Sequence, residues 1–293
     1  MREDFSSRIY GLTAILLVVL LTLNYSLDFE DSVLDARTGF AKFVSYFFFY
    51  SIPYYLTVAV AAHRSRVFTP AFIGTSLFAL AILSLDASLP FIHQLLSEID
   101  SRMYLWAYKV TVNIISLVTV MLPLFVFYRV AEKHRQGFYG LTPHRFDASP
   151  YFQMLLIMVP VLMAATLLPG FLRQYPMYKQ SDAHLYLEIP EFVTVLSYEL
   201  AYGLDFVTVE LLFRGFFVIG LMSYLGRRSV LAMAVIYCML HFGKPAGEAI
   251  SSIFGGYVLG VIAFETRSIW GGVIVHVGIA WMMELFSYLA KQL

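Results

Sequence analysis

The sequence predicts an all-α, polytopic membrane protein, on three observations. Of its 293 residues, 59% are hydrophobic and 14% charged, against about 45–50% and 25% in soluble domains. Apolar stretches close to the roughly 20 residues needed to cross about 30 Å of hydrocarbon recur from end to end. Lysine and arginine gather in alternate loops between those stretches, as they do in cytoplasmic loops.

The spans fall at 10–27, 41–62, 70–89, 105–130, 152–172, 206–225, 230–242, 250–264 and 269–289, which gives eight or nine transmembrane helices. The first begins after Arg2 and Arg8 like a signal peptide. No small-x-small cleavage site follows; the chain runs on through Asn24-Tyr25-Ser26-Leu27-Asp28, so the stretch reads as an uncleaved span. The apolar stretch 190–204 fits either a surface helix or the early turns of one long helix running through Arg214. Arg64 and Arg66 follow the second span, Arg129, Lys133, Arg135 and Arg145 the fourth, and Arg227 and Arg228 the sixth. Asp28, Glu30, Asp31 and Asp35 follow the first, and Glu98 and Asp100 the third. This alternation puts the N-terminus in the cytoplasm. The runs Tyr46-Phe47-Phe48-Phe49-Tyr50 and Tyr54-Tyr55 read as interfacial aromatic belts.

Twenty basic residues balance 20 acidic ones, which gives no reason to expect a nucleic-acid partner. The bilayer is the expected partner instead. One cysteine, Cys238, makes no internal disulfide and no cysteine-based zinc site; in its apolar run it reads as a small buried hydrophobe. The hydrophilic loops 131–150 and 173–188 are too short for separate domains. The chain therefore divides into N-terminal transmembrane helices, 1–150, and a C-terminal part, 151–293, where charge enters the apolar segments.

That charge carries the functional argument. A charge at the bilayer centre costs at least about 2.5–3.5 kcal/mol, so one that persists there pairs, lines a wet cavity or does chemistry. Between Tyr198 and Gly215 four such groups occur: Glu199, Asp205, Glu210 and Arg214. Glu210 and Arg214 are four apart, the spacing of a helical ion pair with its acid first. Asp205 is four before Val209 and projects near the Val209 face; it reads equally as a helix cap after Gly203 and as a site acid. His241 closes one apolar run and His276 sits in the middle of another. A carboxylate beside two imidazoles can take a proton from water attacking an amide while the imidazoles orient the water or stabilise the oxyanion. Glu210, His241 and His276 are equally candidates to bind zinc. Spacing leaves metal-assisted and glutamate-based water activation both open.

The pattern Val209-Glu210-Leu211-Leu212-Phe213-Arg214-Gly215, then Tyr237-x-x-x-His241, then His276 in the last helix, resembles the CAAX-protease and bacteriocin-processing (CPBP, or Abi) family of intramembrane proteases. The family's motifs are Glu-Glu-x-x-x-Arg, Phe-x-x-x-His and His-x-x-x-Asn. The resemblance covers 206–281, and Gly256-Tyr257-Val258-Leu259-Gly260 with Thr266-x-Ser268-Ile269-Trp270 resembles the family's link into its last motif. It implies a membrane protease whose catalytic set is drawn from Glu210, Arg214, His241 and His276, acting on a peptide or protein with a membrane-associated, prenylated or unprenylated segment. It also implies a bacterial plasma membrane. Two positions depart from the pattern. Val209 stands where the family has its first, water-activating glutamate, and Ala280 where it has asparagine.

Two readings follow. Asp205, or Glu210 itself, supplies the missing carboxylate, with Glu284 one turn past Ala280 filling the other gap; or the scaffold is kept and hydrolysis is lost, leaving a membrane scaffold or chaperone. A proton-coupled transporter is a third class, disfavoured because the halves show no inverted repeat. Glu199 is a secondary candidate, and Glu248 reads as a first-turn acid favoured by the helix dipole. Gly255-Gly256 and Gly271-Gly272 read as close helix-packing positions.

Overall fold

A computed structural model describes residues 6–61, 67–89, 91–132, 137–142 and 146–292. Arg2, Arg64, Arg66, Lys133, Arg135 and Arg145, on which much of the orientation argument rests, lie outside the described residues. Those described form helices and no strand.

Helix α1 is Ser7–Leu27, started by the Ser6 hydroxyl, which accepts from the Ile9 N–H, and ended by Asp28 in the left-handed conformation. A π-helical turn, Glu30–Asp35, leads to α2, Gly39–Ala61. Helix α3, Pro70–Ser88, has Thr69 as its cap and Pro70 in its first turn, where a missing N–H costs nothing. Helix α4 is the long Ser101–Ala131, and α5 is Ser149–Ala165. Helix α6, Glu191–Glu210, runs directly into a π-helical segment, Leu211–Gly220. Helices α7, Ser229–Met239, α8, Ala246–Thr266, and α9, Trp270–Ala290, complete the chain. Among the described residues seven segments are long and apolar enough to cross a membrane, and α5 is a shorter apolar helix. The molecule is a polytopic, all-α integral membrane protein.

Three sequence expectations change in detail. The stretch 190–204 is the beginning of one long helix that runs through Arg214, the second of its two readings. The span expected at 152–172 stops as a helix at Ala165, because Leu168 precedes Pro169 and takes an extended conformation; proline disfavours the helical region for the residue before it. The aromatic runs are core as much as belt. Tyr46, Tyr50 and Tyr54, spaced by four, are each at most 3% exposed, while Phe48 between them is 55% exposed.

The chain forms two compact units. One comprises Met1–Pro90, Phe127–Pro143 and Leu211–Ile269. Its interior is aromatic: Tyr54 packs on Phe217, Phe72 on Tyr224, and Tyr139 on Phe216. Lipid tails are as apolar as these side chains, so close packing rather than escape from water holds such helices together. The other unit comprises Phe91–Val126, His144–Glu210 and Trp270–Leu293. There Trp106 Nε1 donates to the Thr194 carbonyl at 3.1 Å and Trp281 Nε1 to the Glu199 carbonyl at 3.1 Å, tying α4 and α9 to α6.

Candidate active site

Helix α6 places Tyr198, Tyr202, Phe206 and Glu210 at four-residue intervals, so they form one stripe along the helix. Tyr198 stacks on Tyr202 at 5.7 Å between ring centroids, Tyr202 contacts Phe206 at 4.8 Å, and Phe206 contacts the His276 imidazole at 4.1 Å. The ladder ends on the acid. Glu210 is fully buried, and its Oε1 lies 3.1 Å from His276 Nδ1. With Glu210 ionised, Nδ1–H donates and the imidazole is held as the tautomer whose Nε2 accepts. The His276 side chain keeps 16% of its surface exposed.

Gly272, one turn before His276, makes this approach sterically possible. A Cβ at 272 would overlap Glu210 Oε2. The expected packing role does apply to Gly271, which faces the Tyr151 ring, while Gly272 admits a carboxylate. Gly272 thus bears out the expected close approach, here with a site acid as the neighbour, whereas Gly255 does not, since a Cβ there would meet nothing within 4 Å.

Arg214 is fully buried within the π segment. Its guanidinium carbon lies 4.1 Å from the centroid of the Tyr237 ring, where the ring's negative face attracts a cation. Tyr237 in turn meets the His241 ring at 4.8 Å, and its carbonyl accepts from His241 Nδ1 at 2.8 Å. A carbonyl only accepts, so Nδ1 carries a proton there. Gly256 gives Tyr237 its place, since a Cβ at 256 would stand 2.7 Å from the ring. The second motif is therefore a packed Arg214–Tyr237–His241 series. His241 is 8% exposed, at the end of α7 as the sequence suggested.

The remaining candidates have other surroundings. Asp205 is half-buried, with Oδ1 3.5 Å from the Thr208 hydroxyl. At about 100° per residue it lies roughly 140° around α6 from Glu210. Glu284 does not stand in for asparagine. Its two oxygens accept the backbone N–H groups of Met177 and Tyr178 at 2.6 and 3.1 Å, so it fastens the loop after α5. Ala280 is buried against Tyr198, Tyr202 and Phe206. Glu248 pairs with Lys244 at 2.9 Å in the first turn of α8, and Cys238 is fully buried with Sγ 3.3 Å from the Ala249 carbonyl.

Among the described residues no group of three or more His, Cys, Asp and Glu side chains is gathered that could hold a metal ion. A catalytic zinc takes three protein ligands, and the Glu210–His276 pair supplies two. The donor set present does not fit zinc on its own.

A polytopic membrane protein with a buried carboxylate–imidazole pair in its last helices is the class these observations define. Residues 191–282 match the family described as Rce1-like, type II CAAX prenyl endopeptidase Rce1-like. That match supports the CPBP family, the one the three motifs resemble, and with it a CAAX-type intramembrane protease at the level of the family. No curated protein and no solved structure matches the chain.

Proposed function

We propose that this chain is an intramembrane endopeptidase that hydrolyses a peptide bond in a membrane-associated protein or peptide, prenylated or unprenylated, with Glu210 and His276 as its proton-handling pair. The single observation that carries the reading is the Glu210 carboxylate on His276 Nδ1, admitted by Gly272. In this scheme Nε2 takes a proton from water as the water oxygen bonds to the scissile carbonyl carbon. The Glu210 carboxylate stabilises the imidazolium that forms. The imidazolium then gives its proton to the departing amine nitrogen as the C–N bond breaks. Proton transfer of this kind contributes about 10²–10⁴-fold. Arg214 and His241 are further candidate catalytic residues on the family resemblance alone. Part 151–293 is the protease-like region, in a bacterial plasma membrane with the N-terminus cytoplasmic.

One observation favours the non-catalytic scaffold instead: Ala280 sits among apolar rings where the family has asparagine, and one oxyanion donor is thereby removed. Purified protein in detergent offered prenylated and unprenylated peptides separates the two. Cleavage that His276→Ala lowers by at least about 10²-fold supports the hydrolase. No cleavage of any peptide, with capture of a partner helix that survives His276→Ala, supports the scaffold. Metal analysis of the active preparation, with cleavage measured before and after chelation, decides the zinc question.

A further inference from the structure

Resting on the hydrolase reading, we infer that Asn24 and Tyr25, at the end of α1, are positioning residues for His241. His241 begins a turn that runs to Lys244, whose N–H donates back to the His241 carbonyl at 3.1 Å. Among the described residues, polar groups of α1 and of the segment just after it grip this turn, beside the Lys244–Glu248 pair. Asn24 is 5% exposed; its Nδ2 donates to the Phe242 carbonyl at 3.2 Å while its Oδ1 accepts the Glu30 N–H at 3.1 Å. The Tyr25 hydroxyl donates to the Lys244 carbonyl at 2.7 Å and lies 3.5 Å from the His241 carbonyl. The Tyr25 and Phe49 rings flank Phe242, at 6.2 and 6.0 Å. The Glu30 carboxylate completes the clasp: a Cβ at Gly243 would stand 3.2 Å from its Oε2.

The consequence for chemistry is orientation. His241 Nδ1 reaches the Tyr237 carbonyl one helical turn back, where α7 is ending. Helix ends fray unless their carbonyls are satisfied, and here the carbonyls of His241, Phe242 and Lys244, just after the helix, are reached from α1. Buried polar atoms in an apolar helix persist where they have partners, and the partners of Asn24 are this turn and the segment that carries Glu30. The first helix, far outside the family match at 191–282, thus supplies part of what fixes the second-motif imidazole.

The test uses full-length protein in detergent with ¹⁵N-labelled histidine, the His241 signals assigned by their loss in His241→Gln. The variants are Asn24→Ala and Tyr25→Phe. The control is Tyr10→Phe, which removes the 2.7 Å Tyr10–Tyr257 contact from the same helix. The wild type should show His241 protonated at Nδ1. Both variants should show mixed tautomers at His241 and a kcat about 10- to 100-fold lower with KM little changed, while Tyr10→Phe leaves both readings at wild-type values. Unchanged His241 signals in Tyr25→Phe, a change too mild to unfold the protein, overturn the inference. If the wild type cleaves no peptide, the tautomer reading still decides: a shift upholds the clasp although the hydrolase reading has failed.

Discussion

Helix α1 and the stretch Glu191–Met239 are both apolar enough to span a membrane, yet 22% of the apolar window is buried in the first and 78% in the second. Helix α1 turns Ile15, Val18, Val19 and Leu23 outward, which is inexpensive where the surroundings are lipid. Its buried positions are Thr13, Leu17 and Asn24, two of them polar. In the other stretch Glu210 and Arg214 are fully buried. Hydropathy therefore says that a helix enters the membrane; the polar and small residues say which face turns inward. Asn24 marks that face in α1 as Glu210 marks it in α6.

The strongest way to break this comparison is at the small residues. Gly272→Ala forces a methyl group into the space of the Glu210 carboxylate. It should lower kcat/KM by about 10²-fold through displacement of the pair and destabilise by about 1–3 kcal/mol. Gly255, whose Cβ would meet nothing within 4 Å, provides the contrast: Gly255→Ala should leave cleavage intact and stabilise α8 by about 0.5–1 kcal/mol. Peptide cleavage and thermal unfolding of the two variants in one detergent check both statements.

Two positions on α1 sharpen it next. Asn24→Ala strips the Phe242 carbonyl and the Glu30 N–H of their partner and should cost about 1–3 kcal/mol. Ile15→Ala, on a side chain 61% exposed, should stay within about 0.5 kcal/mol of the wild type. Equal losses at the two positions, read by unfolding, would show that polarity does not mark the inward face of α1.

A further test is a pH dependence at Glu30, in the turn between α1 and α2. Burial, with Asp35 and Asp31 adding to it, pushes the Glu30 carboxyl up to about 7, against the opposing pull of the Tyr46 hydroxyl and Lys42. A carboxyl raised on folding binds its proton more tightly in the folded state. Stability from this group is therefore greatest below the unfolded value of about 4.3 and falls as pH rises from there to about 7. Glu30→Gln should flatten that slope in Tm against pH, and an unchanged slope would place the titrating group elsewhere.

Much of this was legible from residue type alone. A buried acid, a buried arginine and two histidines in apolar segments announce themselves because few charges survive there, and the motif order supplied their grouping. What stayed hidden depends on contacts between distant parts of the chain or on local winding. Glu284 could be placed one turn past Ala280, but its partners are backbone N–H groups more than 100 residues earlier. The clasp on His241 joins residues more than 200 apart through main-chain carbonyls, which leave no trace in residue type. The spacing rule that linked Glu210 to Arg214 assumes α-helical geometry, whereas the chain is π-helical from Leu211, with hydrogen bonds one residue longer per turn. Up to Glu210 the four-residue spacing exposes the Tyr198–Tyr202–Phe206–Glu210 stripe.

The central claim is that Glu210, through His276, is the working acid, and not Asp205 on another side of α6. The most direct measurement is the ratio of kcat/KM for Glu210→Gln and Asp205→Asn on one cleaved peptide. Glu210→Gln should fall by about 10²–10⁴-fold while Asp205→Asn keeps most of the wild-type rate. The reverse order, with Asp205→Asn inactive and Glu210→Gln near wild type, would contradict the account.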